Sequence, residues 1–108
     1  MKNYPIDLRA TLFCGQCFGW QEEDGLFQSV VQGKHVQCTS ETFLSTLAKD
    51  EELRHYFDMD GGYAQANAHL SQLDPTLSSA VQRFGGIHIL NQDPFEALLC
   101  FILSQNNN

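Results

Sequence analysis

Positive charge is scarce in this chain. Lys and Arg total 6 against 13 Asp and Glu, leaving a net charge of −7 over 108 residues. Phosphate contacts need Lys and Arg, so a chain this acidic is a poor nucleic-acid binder taken alone. Charge of either sign is thin, at 18% of residues against ~25% in ordinary globular proteins. What acidity there is gathers in Glu22-Glu23-Asp24, Asp50-Glu51-Glu52 and Asp58 with Asp60, and reads as solvated turns and helix starts. The chain has no low-complexity segment and no internal repeat, so it reads as one domain or part of one. No apolar run is long enough to cross a bilayer, and Met1 to Leu12 lacks the apolar stretch that marks a signal peptide. The expectation is a cytoplasmic chain whose four cysteines stay reduced.

What is present is organised around the last stretch, Gln92 to Asn108. Asp93 suits an N-cap, Pro94 the first helical position, and Glu96 the third, from which it can reach back to the cap. Ala97 to Leu103 are then apolar without a break. A helix apolar all round must be covered all round, and one this short needs protein as its cover. A core helix placed last has partners on one side only. The expectation is that the sequence is the front part of a longer protein.

Earlier, Tyr4, Ile6, Leu8, Ala10 and Leu12 alternate with less apolar residues, the period of a half-buried strand. Phe18 and Trp20 are expected to share one face beyond a break at Phe13 to Cys17. Asp24-Gly25 signals a hairpin, Leu26 to Gln32 the return strand, and Gly33-Lys34 a second turn before Val36 and Cys38. From Ser40 the period becomes helical. Phe43, Leu44 and Leu47 form one stripe, and Leu53, Tyr56 and Phe57 another, with a break at Lys49-Asp50 and Asp50 as cap. Asp60-Gly61-Gly62 turns into a helix carrying Tyr63, Ala66, Leu70 and Leu73. Asp74-Pro75 starts another, whose buried face should be Leu77, Ala80, Val81 and Phe84, with Gly85-Gly86 ending it. Ile87 to Leu90 reads as a short buried connector. The fold class is α+β: a small antiparallel sheet, then a group of short helices, ending in an apolar helix.

Two stretches carry a resemblance. They are Cys14-Gly15-Gln16-Cys17-Phe18-Gly19-Trp20 and Gln92-Asp93-Pro94-Phe95-Glu96 running on to Ser104-Gln105-Asn106-Asn107-Asn108. Tyr56-Phe57-Asp58 and Phe84-Gly85-Gly86-Ile87 lie between them in the expected order. Together they resemble the N-terminal domain and first core helix of the 8-oxoguanine DNA glycosylases, of the helix-hairpin-helix superfamily. The resemblance implies an N-terminal domain over residues 1–91 and the first helix of a catalytic helical domain over 92–108. It implies a repair enzyme that flips oxidised guanine out of duplex DNA, cuts its glycosidic bond, and cleaves the backbone through a lysine Schiff base. Gly15 matches the glycine whose backbone carbonyl meets the flipped base, Asn106 the asparagine that contacts the orphan cytosine, and Asn107 a neighbour of the catalytic site. The family's catalytic lysine and aspartate would follow Asn108, and Lys2, Lys34 and Lys49 stand in no matching context. The family often has serines where Cys14 and Cys17 stand, and a basic residue at Gly19. The implied partners are duplex DNA carrying 8-oxoguanine opposite cytosine and the protein's own C-terminal catalytic domain. No cofactor is implied, and the uncovered last helix invites self-association.

Two rival readings exist. Cys14-x-x-Cys17 with His35-x-x-Cys38 is a zinc-ribbon spacing, for which tetrahedral zinc would take three thiolates and one imidazole. A non-catalytic protein-interaction domain would suit the acidic charge, with the last helix as its docking surface. Metal analysis separates the zinc reading: that pattern predicts about one zinc per chain and unfolding on chelation.

Overall fold

The structure, a computed structural model, describes residues 5–106. Its elements run α1 (Leu8–Phe13), β1 (Gln21–Glu23), β2 (Leu26–Val31), β3 (Lys34–Cys38), α2 (Phe43–Ala48), α3 (Glu51–Tyr56), α4 (Tyr63–Leu73), α5 (Pro75–Phe84) and α6 (Pro94–Asn106). The architecture is α+β: α1, then a three-stranded antiparallel sheet of order β1-β2-β3, then helices α2 to α6. Among the described residues, no helix is long and apolar enough to cross a membrane.

The first element corrects the sequence reading: Leu8 to Phe13 is a helix, not a strand, and Tyr4 lies outside the described residues. Asp7 caps it, accepting from the Ala10 amide at 3.0 Å. Leu8 and Leu12 are two periods apart in a strand but also four residues apart, one helical turn. Thr11 decides between them. Counted as outward-facing in a strand, it is wholly buried beside Leu8 and Leu12. Its hydroxyl makes that possible by donating to the Gly86 carbonyl (3.4 Å) and accepting from the His88 amide (3.1 Å).

Sheet formation follows the alternation. Both residues of the Asp24-Gly25 turn have positive φ (52° and 85°), as a tight hairpin turn requires. The second turn falls on Gln32-Gly33, one residue earlier than expected. Phe27 lies opposite Cys38, and Phe27, Val31, Val36 and Cys38 put one face into the core. Trp20 is buried at the entry to β1, whereas Phe18 is exposed, so these two do not share a buried face.

Helices α2 and α3 close the core from the other side. Asp50 caps α3 through the Leu53 amide at 3.2 Å, at the expected break. Phe57, fully buried, is the hub: Phe43, Tyr56 and Trp20 meet its ring edge-on at 4.9, 5.1 and 5.8 Å between centroids. Helices α4 and α5 sit outside this core. Of the predicted α5 face only Val81 is buried; Leu77 is half-buried and Ala80 and Phe84 are exposed. In the connector His88 and Leu90 are buried, but Ile89 is exposed. The connector is reached through Gly86, where a Cβ would stand 2.6 Å from the Pro5 carbonyl oxygen and 2.9 Å from the Asp7 nitrogen. Only a residue without a side chain lets the two backbone segments approach this closely.

Phe57→Ala removes the centre of the aromatic cluster and is expected to cost about 3–5 kcal/mol of stability. Leu44→Ala, at a position 67% exposed, should change it by less than about 0.5 kcal/mol. Urea unfolding of the two variants beside the parent checks both values.

Candidate functional site

The candidate site is the turn between α1 and β1. Helix α1 ends at Phe13, with Cys14 as its C-cap, and the chain then passes through Gly15 at φ 99°. That conformation is strained for any residue with a side chain, so the turn demands glycine there. The Gly15 surface is exposed, and a Cβ added to it would meet nothing within 4 Å. The turn therefore faces open space, where a ligand can approach its backbone.

The residue after it is held from every side. The Gln16 side-chain NH₂ donates to the carbonyls of Thr11 (2.9 Å) and His88 (2.7 Å), and its Oε1 accepts from the Leu90 amide (3.0 Å). Two carbonyls and one N–H surround this amide, so only one of its two orientations satisfies all three. The main-chain carbonyl of Gln16 accepts in turn from Gln92 Nε2 at 2.6 Å. Gln16 thus ties the end of α1 to the connector, and Gln92 ties the turn to the root of α6.

The connector is itself anchored. His88 Nδ1 faces the Phe57 carbonyl at 2.8 Å, which accepts only, so the ring hydrogen is on Nδ1. Its ring stacks on Tyr63 at 3.9 Å, with 4° between planes. Tyr63 Oη accepts from the Ile89 amide and donates to Asp58 Oδ2. Asn91 extends the anchorage to the end of α3: its amide donates to the Tyr56 carbonyl and its side chain to that of His55.

Helix α6 begins where the sequence places it. Asp93 accepts from the Glu96 amide at 2.9 Å through its carboxylate and from Ala97 through its carbonyl. A cleft of about 60 Å³ separates the root of α6 from the core, lined by Cys17, Trp20, Val31, Tyr56, Gln92 and Cys100. Within it Trp20 Nε1 donates to Tyr56 Oη at 2.9 Å. Burial pushes the Tyr56 phenol up to about 12 and the Cys17 thiol up to about 11. Beyond its first turn α6 presents Leu98, Leu99, Phe101 and Ile102 to solvent, each between 44% and 56% exposed. Asn106 is the last residue of α6, about 18 Å of helix from the root. Its side chain and Asn107 lie outside the described residues.

The zinc-ribbon arrangement is not formed. Cys14 Sγ contacts the Thr11 carbonyl, buried Cys17 Sγ contacts that of Leu12, and His35 Nε2 faces Gln28 Oε1. Among the described residues no three His, Cys, Asp or Glu are grouped to hold a metal ion. The spacing misleads because Cys17 and Cys38 serve as small core residues.

Among the described residues, three of the five Lys and Arg side chains are ion-paired. Arg9 pairs with Glu22 through Nε (2.8 Å) and Nη2. Lys34 bridges Glu52 and Asp50 at 3.1 and 3.8 Å, and Arg54 lies 3.6 Å from Glu51 while donating to the carbonyls of Leu47 and Ala48.

The sequence model described as 8-oxoguanine DNA glycosylase, N-terminal domain, matches residues 1–98. The chain belongs to this family. N-glycosylase/DNA lyase OGG1 of Arabidopsis thaliana is 26% identical over 120 aligned positions, covering 100% of this chain and 33% of the relative. The structure of MBOgg1 in complex with a low affinity DNA ligand is 33% identical with a TM-score of 0.76. The apo form of Clostridium acetobutylicum 8-oxoguanine glycosylase/lyase is 33% identical with a TM-score of 0.75. Each match covers 95% of this chain and 38% of the solved chain. The chain therefore spans about a third of the length of the relatives it matches. The two family stretches quoted from the sequence meet in space, since Gln16 of the first and Gln92 of the second are hydrogen-bonded.

Sequence reasoning placed Gly15 on its turn but missed Thr11, Gln16, His88 and Gln92 as the groups that hold it. A long amide between Gly15 and Cys17 was the one available signal.

The Tyr56 and Cys17 shifts carry a pH dependence. Both folded pKa values lie above the ordinary ones, so the folded state favours the neutral forms. Their contribution is intact below the unfolded values, 9.0 for the thiol and 10.0 for the phenol, and is lost as pH rises through about 11 and about 12. Thermal melts should fall between about pH 9 and 12, and less steeply above about pH 10 for Tyr56→Phe. Parallel melting curves for the two proteins across this range would contradict the assignment.

Proposed function

We propose that this chain is the N-terminal part of a DNA glycosylase/lyase that removes 8-oxoguanine from duplex DNA. In this reading residues 1–91 form the N-terminal domain and 92–108 open the catalytic helical domain. The observation that carries it is the family match over residues 1–98, joined to an exposed Gly15 turn at φ 99°. Guanine carries a lone pair at N7, whereas 8-oxoguanine carries N–H there. The Gly15 carbonyl, an acceptor only, attracts the second and repels the first. Asn106 contacts the orphan cytosine, its amide offering donor and acceptor to the base edge, with Asn107 beside the reaction centre. The intact protein flips the base out of the stack. A lysine beyond Asn108 attacks the sugar C1′ as the glycosidic bond breaks and the base departs, with an aspartate assisting.

The chain by itself is then inactive and binds DNA weakly, since Arg9, Lys34 and Arg54 are occupied by carboxylates. The occupant of the exposed α6 face is the protein's own catalytic domain. Without it, the chain self-associates through that face.

Borohydride trapping on a duplex carrying 8-oxoguanine opposite cytosine tests the reading. The product of the whole reading frame should give a covalent adduct, and residues 1–108 none. No adduct from either would leave a binding domain of the same fold and turn attention to protein partners. Residues 1–108 should also bind an apolar dye and elute from gel filtration above monomer size. A clean monomer without dye binding would count against an uncovered α6.

A further inference from the structure

We propose that Gln16 is the positioning residue for the Gly15 carbonyl, and that its amide registers the recognition turn against the root of α6. This rests on the reading of Gly15 as the acceptor that tells 8-oxoguanine from guanine. The two bases differ there by one hydrogen on one nitrogen. An acceptor distinguishes them only if its direction is fixed, because a carbonyl free to rotate can turn away from the N7 lone pair. Gly15 cannot supply that rigidity, being exposed, with no atom within 4 Å of its Cβ position. The Gly15 carbonyl belongs to the same peptide unit as the Gln16 nitrogen, so holding Gln16 in place restrains the acceptor. Gln16 is held by three side-chain hydrogen bonds and one to its own carbonyl.

The partners show what the turn is registered against. Thr11 is on α1, His88 and Leu90 are on the connector, and Gln92 stands two residues before α6 begins. The same few atoms therefore set the Gly15 turn relative to the helix that ends at Asn106. A structural filler would need no such specificity. Methionine has nearly the same length and volume, and would pack in the same half-buried site without the three side-chain bonds.

The test uses the product of the whole reading frame as wild type, Gln16→Met and Gln92→Leu. Binding is measured to three duplexes that differ at one position opposite cytosine. These carry a cleavage-resistant 2′-fluoro 8-oxoguanine nucleotide, guanine, or a tetrahydrofuran abasic analogue. The abasic duplex offers no base to the Gly15 carbonyl, so it reports every other contact and any general loss of folding. Gln16→Met should lower the preference for 8-oxoguanine over guanine about tenfold, the scale of lost hydrogen-bond restraint. Affinity for the abasic duplex should stay within about twofold, well inside the range of one lost hydrogen bond. Gln92→Leu, which loosens the same residue from its carbonyl side, should shift the preference in the same direction by less. Equal changes on all three duplexes, or none, overturn the proposal. Should Gln16→Met fail to fold, an unchanged preference in Gln92→Leu overturns it instead. A wild-type protein with no preference for 8-oxoguanine would refute the Gly15 reading itself, a result separate from either variant's behaviour.

Discussion

The structure depends on a polar seam between α1 and the connector that leads into α6. Along it the Asp7 amide donates to the Gly86 carbonyl at 2.7 Å, Thr11 bonds Gly86 and His88, and Gln16 bonds His88 and Leu90. These pairs join residues more than 70 positions apart in the chain. An unpaired amide or hydroxyl buried here would cost about 1–3 kcal/mol. The seam is therefore specific in a way that apolar packing is not. It places the Gly15 turn and the start of the last helix together, and any slip of one against the other breaks several bonds at once.

Around the seam the chain divides its labour. The sheet, α2 and α3 bury the aromatic cluster centred on Phe57 and supply most of the apolar core. Helices α4 and α5 add little to that core; α4 reaches the connector through Tyr63 and joins the end of α5 through Asn67, whose side chain donates to the Gly85 carbonyl. The apolar face of α6 is left to solvent. The chain is net negative, and among the described residues Arg9, Lys34 and Arg54 are paired with carboxylates. What the chain does supply is geometric, a turn at Gly15 held in place through Gln16.

The hairpin, the capped starts of α3, α5 and α6, and the grouping of helices after strands were all legible in the sequence. Their signals are local: a turn dipeptide, a cap three residues before the amide it serves, a change of period. The misreadings share a cause. Leu8 and Leu12 fit both strand and helix, and Thr11 looked solvent-facing because its partners lie at Gly86 and His88. Leu77, Ala80 and Phe84 have the spacing of a buried face, but beside Val81 only Leu77 is even partly covered. Cys14, Cys17, His35 and Cys38 have zinc spacing, but their side chains take up separate contacts.

The sequence by itself determined the family, the glycine turn and the capped apolar helix, because each is written in a few adjacent residues whose conformational preferences act locally. Only the tertiary structure decided that α1 is a helix and that Gln16 locks the turn. It also decided which apolar faces are covered. Those outcomes turn on hydrogen bonds and contacts between residues far apart in the chain, and no short window of sequence contains both partners.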